Sequence, residues 1–137
     1  MFDTKTIELK GACGSGEVHV AMVTTDLQEA IADVKLILVA VPSFAHSSYA
    51  QKLAEVIKPG QIVLVLPGTF GSLIFWKEFK KKNIQDVVVA ESHTLPYATR
   101  LTGPGQSLIM SRFYPLKIGV MPSSRTEETY GRIRRSV

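Results

Sequence analysis

The stretch VKLILVAVPSFAH, residues 34–46, decides the fold because it holds an almost unbroken apolar run that ends in a proline. Such a run is typical of a β-strand buried on both faces, here residues 35–41. Two similar strands are predicted at 62–66 (IVLVL) and 87–90 (VVVA). Because helical patterns separate these three strands, the sequence predicts a parallel sheet covered on both faces and therefore an α/β fold.

The connecting helices follow from their apolar spacing and their ends. Ser43 is placed to cap a helix that runs to about Lys58. Its apolar face is predicted to carry Ala45, Tyr49, Leu53, Val56 and Ile57. A third helix over about 72–82 is apolar around much of its surface, which core packing explains, although part of it would also suit a partner domain.

Shorter elements lie before and after this α/β unit. Residues 5–10 and 17–24 alternate apolar and polar side chains around a glycine-rich turn and predict an antiparallel hairpin. Asp26 opens a short helix to about Val34. After the strand at 87–90 we expect a polar loop. The remaining elements are predicted to be two strands and a terminal helix, at 107–112, 116–121 and 126–135.

Size and composition favour one ordinary globular domain. The chain has 137 residues, 45% of them hydrophobic, and a single cysteine, Cys13, so neither a disulfide framework nor a cysteine-based zinc site is expected. The longest apolar stretch, Leu36 to Pro42, is far shorter than a membrane span, and no signal-peptide layout opens the chain. We expect a cytoplasmic protein with no membrane partner and no metal site.

The net charge of +4 raises the alternative of a nucleic-acid partner. The basic residues gather near the ends of predicted helices, where cations complement the helix dipole. No aromatic residues alternate with them as a nucleic-acid-binding surface requires, so no nucleic-acid partner is expected. The two basic groups are Lys77, Lys80, Lys81 and Lys82, and Arg125, Arg132, Arg134 and Arg135.

Ligands of open parallel sheets bind beyond the carboxyl ends of the strands. Three loops qualify, at 41–46, 66–69 and 90–97, and two of them lead into helix N-termini, which favour anions. The glycine fingerprint of a dinucleotide site, G-x-G-x-x-G between a strand and a helix, does not occur. Gly14 and Gly16 are better explained as parts of the hairpin loop.

The order of motifs resembles the NAD/NADP octopine/nopaline dehydrogenase family, the opine dehydrogenases. The resemblance covers about residues 5–122, and its most specific parts are VPSFAH at 41–46, LPG at 66–68 and TLPYATR at 94–100. It implies a Rossmann domain followed by a helical domain with the catalytic histidine. It also implies reduction of the imine formed from an amino acid and a 2-oxo acid, with NAD or NADP as cofactor.

The chain resembles only part of such an enzyme. We expect residues 1–137 to form a single partial dinucleotide-binding domain, a partial Rossmann-like parallel sheet flanked by helices with an N-terminal β-hairpin. It would lack the first β-α-β unit and the C-terminal catalytic domain. The expected consequences are weak or absent cofactor binding, no catalytic residue, no activity of the chain alone, and assembly as a homo-oligomer or with a complementing chain.

Cofactor-facing residues are assigned through the resemblance. It places Val41, Pro42 and Ser43 along the cofactor, although a turn role explains the proline equally well. His46 belongs to the same motif, and support of the loop is favoured over catalysis. The backbone of three further residues is expected to line the nicotinamide pocket: Pro67, Gly68 and Thr69.

The resemblance also assigns the amino-substrate side of the nicotinamide, namely Glu91, Ser92 and Thr94. A salt bridge from Glu91 to Arg100 or a lysine is the structural alternative, because a carboxylate after a buried strand needs a partner or water. Tyr97 and Arg100 either clamp a substrate carboxylate or fix the loop. His93 is expected to be exposed.

Two other functions stay open. The first is a non-catalytic α/β interaction or assembly module, in which the edge of strand 35–41 recruits another chain. The second is another NAD(P)-dependent reductase, of ketopantoate or glycerol-phosphate type, which shares the fold and fits the segment 95–98 less well.

Overall fold

Two four-stranded sheets and four α-helices make up residues 5–136, the part of the chain that this computed structural model describes. The strands are β1 (Thr6–Gly11), β2 (Gly16–His19), β3 (Leu36–Val39), β4 (Ile62–Val65), β5 (Val88–Ser92), β6 (Tyr97–Gly103), β7 (Gln106–Arg112) and β8 (Ile118–Met121). The helices are α1 (Leu27–Ile31), α2 (His46–Val56), α3 (Gly71–Lys81) and α4 (Thr126–Ser136).

The central sheet has the strand order β3-β4-β5-β8. Its first three strands are parallel, with Ile37 beside Val63 and Val63 beside Val89, and β8 joins β5 antiparallel. The prediction of a parallel sheet from three apolar runs is therefore confirmed. The order also leaves β3 at an edge of the described sheet.

Both faces of the central sheet are packed, but unequally. One face, which includes Val63 and Val89, packs against α1, α2 and α3. On the other face, Leu64 and Ala90 form a smaller cluster with Ile133 of α4. Leu38 lies beside Leu64 in the register yet is 51% exposed. The second face is therefore only partly covered at β3.

Helix α2 confirms most of the predicted apolar face, since Leu53 is buried and Val56 and Ile57 pack against the core, but it buries further residues that were not predicted. The buried residues are His46, Ala50, Leu53 and Ala54, which follow helical spacing, whereas Tyr49 is exposed. The prediction weighted large apolar side chains, but small alanines let the helix pack closely against its neighbours. The expected Ser43 cap is also wrong, since Ser43 begins a 3₁₀ turn and α2 starts at His46 without a side-chain cap.

Helices α1 and α3 are closer to expectation. Asp26 caps α1 as predicted, because its carboxylate accepts hydrogen bonds from the backbone N–H groups of Gln28 and Glu29, at 2.8 and 3.2 Å. In α3, Phe75 and Phe79 are buried in the core, whereas Leu73 is exposed.

The hairpin sheet, defined as β2-β1-β7-β6, contains the predicted hairpin of β1 and β2. Strand β6 replaces the predicted polar loop. Its residues pair antiparallel with β7 through a turn at Pro104 and Gly105, and Gly105 has the positive φ that such a turn favours. The prediction was wrong because YATRLTG has no clear alternation. No residue of these four strands is buried.

Several residues of the first basic group have partners. Lys81 pairs with Glu78 and Lys82 with Glu55, while Lys80 lies over the ring of Trp76. Within residues 5–136, no helix has the length and apolar character needed to cross a membrane.

Candidate functional site

Three loops follow β3, β4 and β5 at one edge of the central sheet, because the strands are parallel and end together. The residues predicted to face a cofactor and substrate, as far as Thr94, lie in these loops, at the end of β5 and at the start of α2. The chain supplies backbone groups, glycine and small hydroxyl side chains at this edge. We call the end of the sheet where the loops after β3, β4 and β5 lie the C-terminal edge.

The β3 loop is exposed where the cofactor was predicted. Pro42 and Ser43 are exposed, and Val41 packs partly against the core. The carbonyl of Pro42 accepts a hydrogen bond from the N–H of Ala45 at 2.9 Å, which closes the 3₁₀ turn. The backbone of this loop is therefore open to a ligand and is held by the hydrogen bond of the 3₁₀ turn.

His46 is buried at the base of this loop, 1% exposed. Its ring lies 6.2 Å from that of Phe75, centroid to centroid. A Cβ on Gly71 would lie 2.6 Å from its Cε1 atom, so only glycine fits there. Its Nε2 atom has no hydrogen-bond partner among the described residues. The imidazole of His46 is therefore placed to support the β3 loop against the start of α3. Because the ring is buried, a substrate does not reach it.

The β4 loop has an unusual backbone. Gly68 is buried and donates its N–H to the carbonyl of Ser92 at 2.8 Å, which ties the loop to β5. Thr69 and Phe70 both have positive φ, 45° and 63°, a conformation that non-glycine residues rarely adopt. Such backbone strain concentrates at functional sites. Pro67 is half-buried and Thr69 exposed.

Sequence reasoning missed two exposed aromatic residues at this edge. Phe44, in the β3 loop, is 88% exposed, and Phe70, in the β4 loop, is 77% exposed. Their motif positions carried no distinguishing signal. Exposure of large apolar side chains beside the predicted cofactor loops adds an apolar component to the site.

Glu91 lies within β5 rather than after it and is half-buried. Its Oε2 atom accepts a hydrogen bond from the backbone N–H of Ser72 at 3.0 Å, at the N-terminus of α3. Gly68 makes room for it, since a Cβ there would lie 2.6 Å from Oε2. The structural alternative, an ion pair from Glu91 to Arg100 or a lysine, is not formed among residues 5–136. The carboxylate instead occupies the helix terminus that was predicted to favour an external anion.

The three residues after Glu91 differ in their exposure to solvent. Ser92 is buried, and its hydroxyl donates to the carbonyl of Thr94 at 2.7 Å. Thr94 is half-buried, and His93 is exposed as expected.

Tyr97 and Arg100 lie on β6, in the hairpin sheet. The register places Tyr97 opposite Arg112 and Arg100 opposite Leu108. Arg100 is exposed and donates to the carbonyl of Thr99 at 3.3 Å. The guanidinium beside Tyr97 across the strands is therefore that of Arg112, a residue that sequence reasoning did not single out.

The described residues fit part of a dinucleotide site and no metal site. The C-terminal edge offers backbone and small side chains to a nicotinamide ring, but residues 5–136 contain no G-x-G-x-x-G turn between a strand and a helix for a pyrophosphate. Within the same range, no three histidine, cysteine or acidic side chains gather as metal ligands do.

Comparison with known proteins agrees with this fold. The family model of the NAD-dependent glycerol-3-phosphate dehydrogenase N-terminus matches residues 17–106. An opine dehydrogenase of Arthrobacter sp. (strain 1C) is 27% identical over 124 residues, which are 90% of this chain and 34% of that enzyme.

Two solved structures share the fold. Octopine dehydrogenase with NADH and L-arginine superposes with a TM-score of 0.71 at 22% identity, covering 85% of this chain and 30% of that one. Yersinopine dehydrogenase with bound NADP⁺ gives 0.72 at 17% identity, covering 94% and 34%. The chain spans about a third of the length of each of these three proteins.

The matched residues include β3, β4 and β5 with their loops, and so the C-terminal edge. The resemblance to opine dehydrogenases, first drawn from three short motifs, is confirmed by these relatives. The chain belongs to the NAD-dependent glycerol-3-phosphate dehydrogenase N-terminus family.

Proposed function

We propose that the chain is the nicotinamide-facing part of an opine-type oxidoreductase, which reduces the imine formed from an amino acid and a 2-oxo acid. The observation that carries this proposal is the C-terminal edge itself. Three parallel strands end there. The 41–46 motif follows β3, the 66–68 motif follows β4, and the 94–100 motif follows β5 and continues into β6. The relatives that share these strands are NAD(P)-linked dehydrogenases by name or by bound cofactor.

In this proposal each loop has a separate task. The backbone of Val41 to Ser43 lies along the cofactor, and His46 holds that loop against α3. Pro67, Gly68 and Thr69 line the nicotinamide pocket, and the space left by the missing side chain of Gly68 is filled by Glu91. The bound cofactor supplies the hydride. No general acid or base is assigned to the described residues, since His46 is buried.

The substrate side follows from β5. Glu91, Ser92 and Thr94 lie next to the predicted nicotinamide position, with Tyr97 and Arg100 proposed to contact the substrate carboxylate. Glu91 already accepts a hydrogen bond from the backbone N–H of Ser72 and fills the space beside Gly68. A carboxylate fixed in this way orients a cationic amino substrate without needing to rearrange.

Cofactor binding by the chain alone is expected to be weak, with a dissociation constant above about 100 μM, because no pyrophosphate turn is present among the described residues. We would titrate NADH into ¹⁵N-labelled protein and map the shifted amide signals. The proposal predicts shifts in residues 41–46 and 67–69. Thr69→Glu, which adds a negative charge to the loop, should weaken binding, whereas Thr99→Glu in β6 should not.

Two results would count against this function. Shifts confined to the hairpin sheet would place the nucleotide elsewhere, and equal affinity of the Thr69→Glu and Thr99→Glu variants would remove the β4 loop from the site. We further expect no oxidation of NADH with an amino acid and pyruvate by the chain alone. Clear turnover would refute the proposal that this part is inactive by itself. Turnover with ketopantoate or a glycerol phosphate would favour the other reductase types.

A second candidate function, an assembly module, is favoured by the edge of β3. The backbone N–H groups of Ile62 and Leu66 bond the carbonyls of Lys35 and Val39 at 2.8 and 2.9 Å. In a parallel ladder the intervening backbone groups, including those of Leu38, then point away from β4. An edge of this kind binds a strand from a second copy or a complementing chain.

Light scattering at low protein concentration tests this candidate. Self-association that Leu38→Lys abolishes would support a homo-oligomer through β3, because a lysine on an edge strand opposes pairing. A stable monomer at all concentrations would contradict self-assembly. The two functions are compatible, since the β3 edge and the C-terminal edge use different groups.

A further inference from the structure

A cavity of about 450 Å³ lies between the hairpin sheet, β8 and α4. It is on the α4 face of the central sheet, whereas His46 and Glu91 contact α3 on the other face. The register connects the two regions, because Ile118 in the cavity wall pairs with Ser92 of β5. The residues that matter for its chemistry are Tyr97, Arg112, Ile118, Tyr130, Ile133 and Arg134.

Two guanidinium groups give this cavity a positive charge. Arg112 ends β7 and Arg134 lies in the last turn of α4. Both residues are exposed, neither side chain has an ion pair or hydrogen bond within residues 5–136, and no acidic side chain lines the cavity. Neither acid of α4, Glu127 or Glu128, lines the cavity, and Glu128 is already shared by Arg125 and Arg132. The two charges at the cavity therefore lack a partner from the described protein.

The remaining wall is apolar and aromatic. Ile133 is buried and Ile118 half-buried, and both belong to the cluster on the α4 face. The phenol rings of Tyr97 and Tyr130 stand beside them. Ligand sites typically combine such a wall with a few polar groups that fix orientation. Guanidinium groups bind carboxylates with two parallel hydrogen bonds, which gives the orientation.

We propose that this cavity binds a small organic anion with a carboxylate group on an apolar or aromatic body. The carboxylate contacts Arg112 and Arg134, and the body packs on the two isoleucines between the tyrosines. The site is distinct from the cofactor loops and adds a second ligand to the chain. It shares only Tyr97 with the proposed substrate side.

The test uses phenylacetate as the probe and amide chemical shifts of the whole chain as the readout. We expect saturable shifts at Tyr97, Ile118 and Ile133. Arg134→Gln should weaken binding about tenfold, the factor that loss of one charge-assisted hydrogen bond produces. Arg135→Gln is the matched control, because this neighbour carries the same charge on α4 but does not line the cavity. Arg112→Gln gives a second, independent variant if Arg134→Gln disturbs the fold.

Acetate and 2-phenylethanol carry the two halves of the probe, and each should bind at least tenfold more weakly than phenylacetate. Equal effects of Arg134→Gln and Arg135→Gln would overturn the site. Inorganic phosphate binding as tightly as phenylacetate would overturn the assignment of an apolar body. NADH titration of Arg134→Gln should reproduce the wild-type shifts at the C-terminal edge. If the wild type itself does not bind NADH, the proposed function fails while the phenylacetate result still decides this inference.

Discussion

Replacement of Gly71 by alanine tests the contact that joins the β3 loop to α3. The added Cβ would lie 2.6 Å from Cε1 of His46, and both residues are buried, so neither can move freely. Overpacking of this kind costs about 1–3 kcal/mol. Replacing glycine by alanine also lowers the conformational entropy of the unfolded chain, which stabilises the folded protein by about 0.4–1 kcal/mol. We therefore expect Gly71→Ala to lower the free energy of unfolding by about 1–2 kcal/mol.

The same substitution should have the opposite sign when His46 is alanine. His46→Ala removes the ring that collides with the new methyl group, so only the favourable glycine term is left, about 0.4–1 kcal/mol. His46→Ala alone is destabilising because it leaves a cavity beside Phe75. The double-mutant cycle isolates the contact between residues 46 and 71.

Urea unfolding of the wild type, both single variants and the double variant measures this cycle at constant m-value. Gly131→Ala is the matched control, because Gly131 lies within α4 and a Cβ there meets only the Nη1 atom of Arg135, at 3.9 Å. It should stabilise by about 0.5–1 kcal/mol. An equal loss of stability from Gly71→Ala in both backgrounds would show that His46 is not what excludes the side chain.

Three further outcomes are expected. Gly68→Ala should destabilise by about 1–3 kcal/mol through collision with Glu91, and the loss should shrink in Glu91→Gly, because the nearest atom to the new methyl group is the Cβ of Glu91. Asp26→Ala should cost about 1 kcal/mol in urea unfolding, as loss of an N-cap does. The hydrogen bond from Arg125 holds the pKa of the Glu128 carboxyl below its usual value. That stabilisation is present above the ordinary carboxyl pKa and is lost as pH falls through the lowered pKa of the folded protein, so the difference in urea midpoint between Glu128→Gln and wild type should be largest at neutral pH and shrink in acid.

The central sheet was predictable from sequence because its strands are buried on both faces. An apolar run such as IVLVL leaves few alternatives to a covered parallel strand, and its proline or glycine marks the end. The hairpin sheet was only half predictable. Strand β6 carries Tyr97, Thr99 and Arg100 without alternation, so its pairing with β7 depends on a partner that local pattern does not report.

The candidate site was also predictable only in part. The order of the motifs along the chain was enough to locate the loops. The contacts of His46 and Glu91 did not follow from sequence, because their partners lie 25 and 19 residues away, at Gly71 and Ser72. Helix α2 is an example of such a tertiary effect. Its buried face includes Ala50 and Ala54, whose small size matters only when α3 packs against them.

The position of Glu91 limits how the proposed cofactor can bind at the C-terminal edge. A helix N-terminus usually attracts a phosphate, but the N-terminus of α3 already holds this carboxylate through the N–H of Ser72. A second anion there would meet like charge at close range. If the proposed function is correct, we expect the diphosphate of NADH to lie away from α3 and the uncharged nicotinamide and its ribose to lie at the loops after β3 and β4. This assignment explains why the same edge has glycine, proline and exposed phenylalanine side chains and no lysine or arginine in residues 41–46 and 66–71.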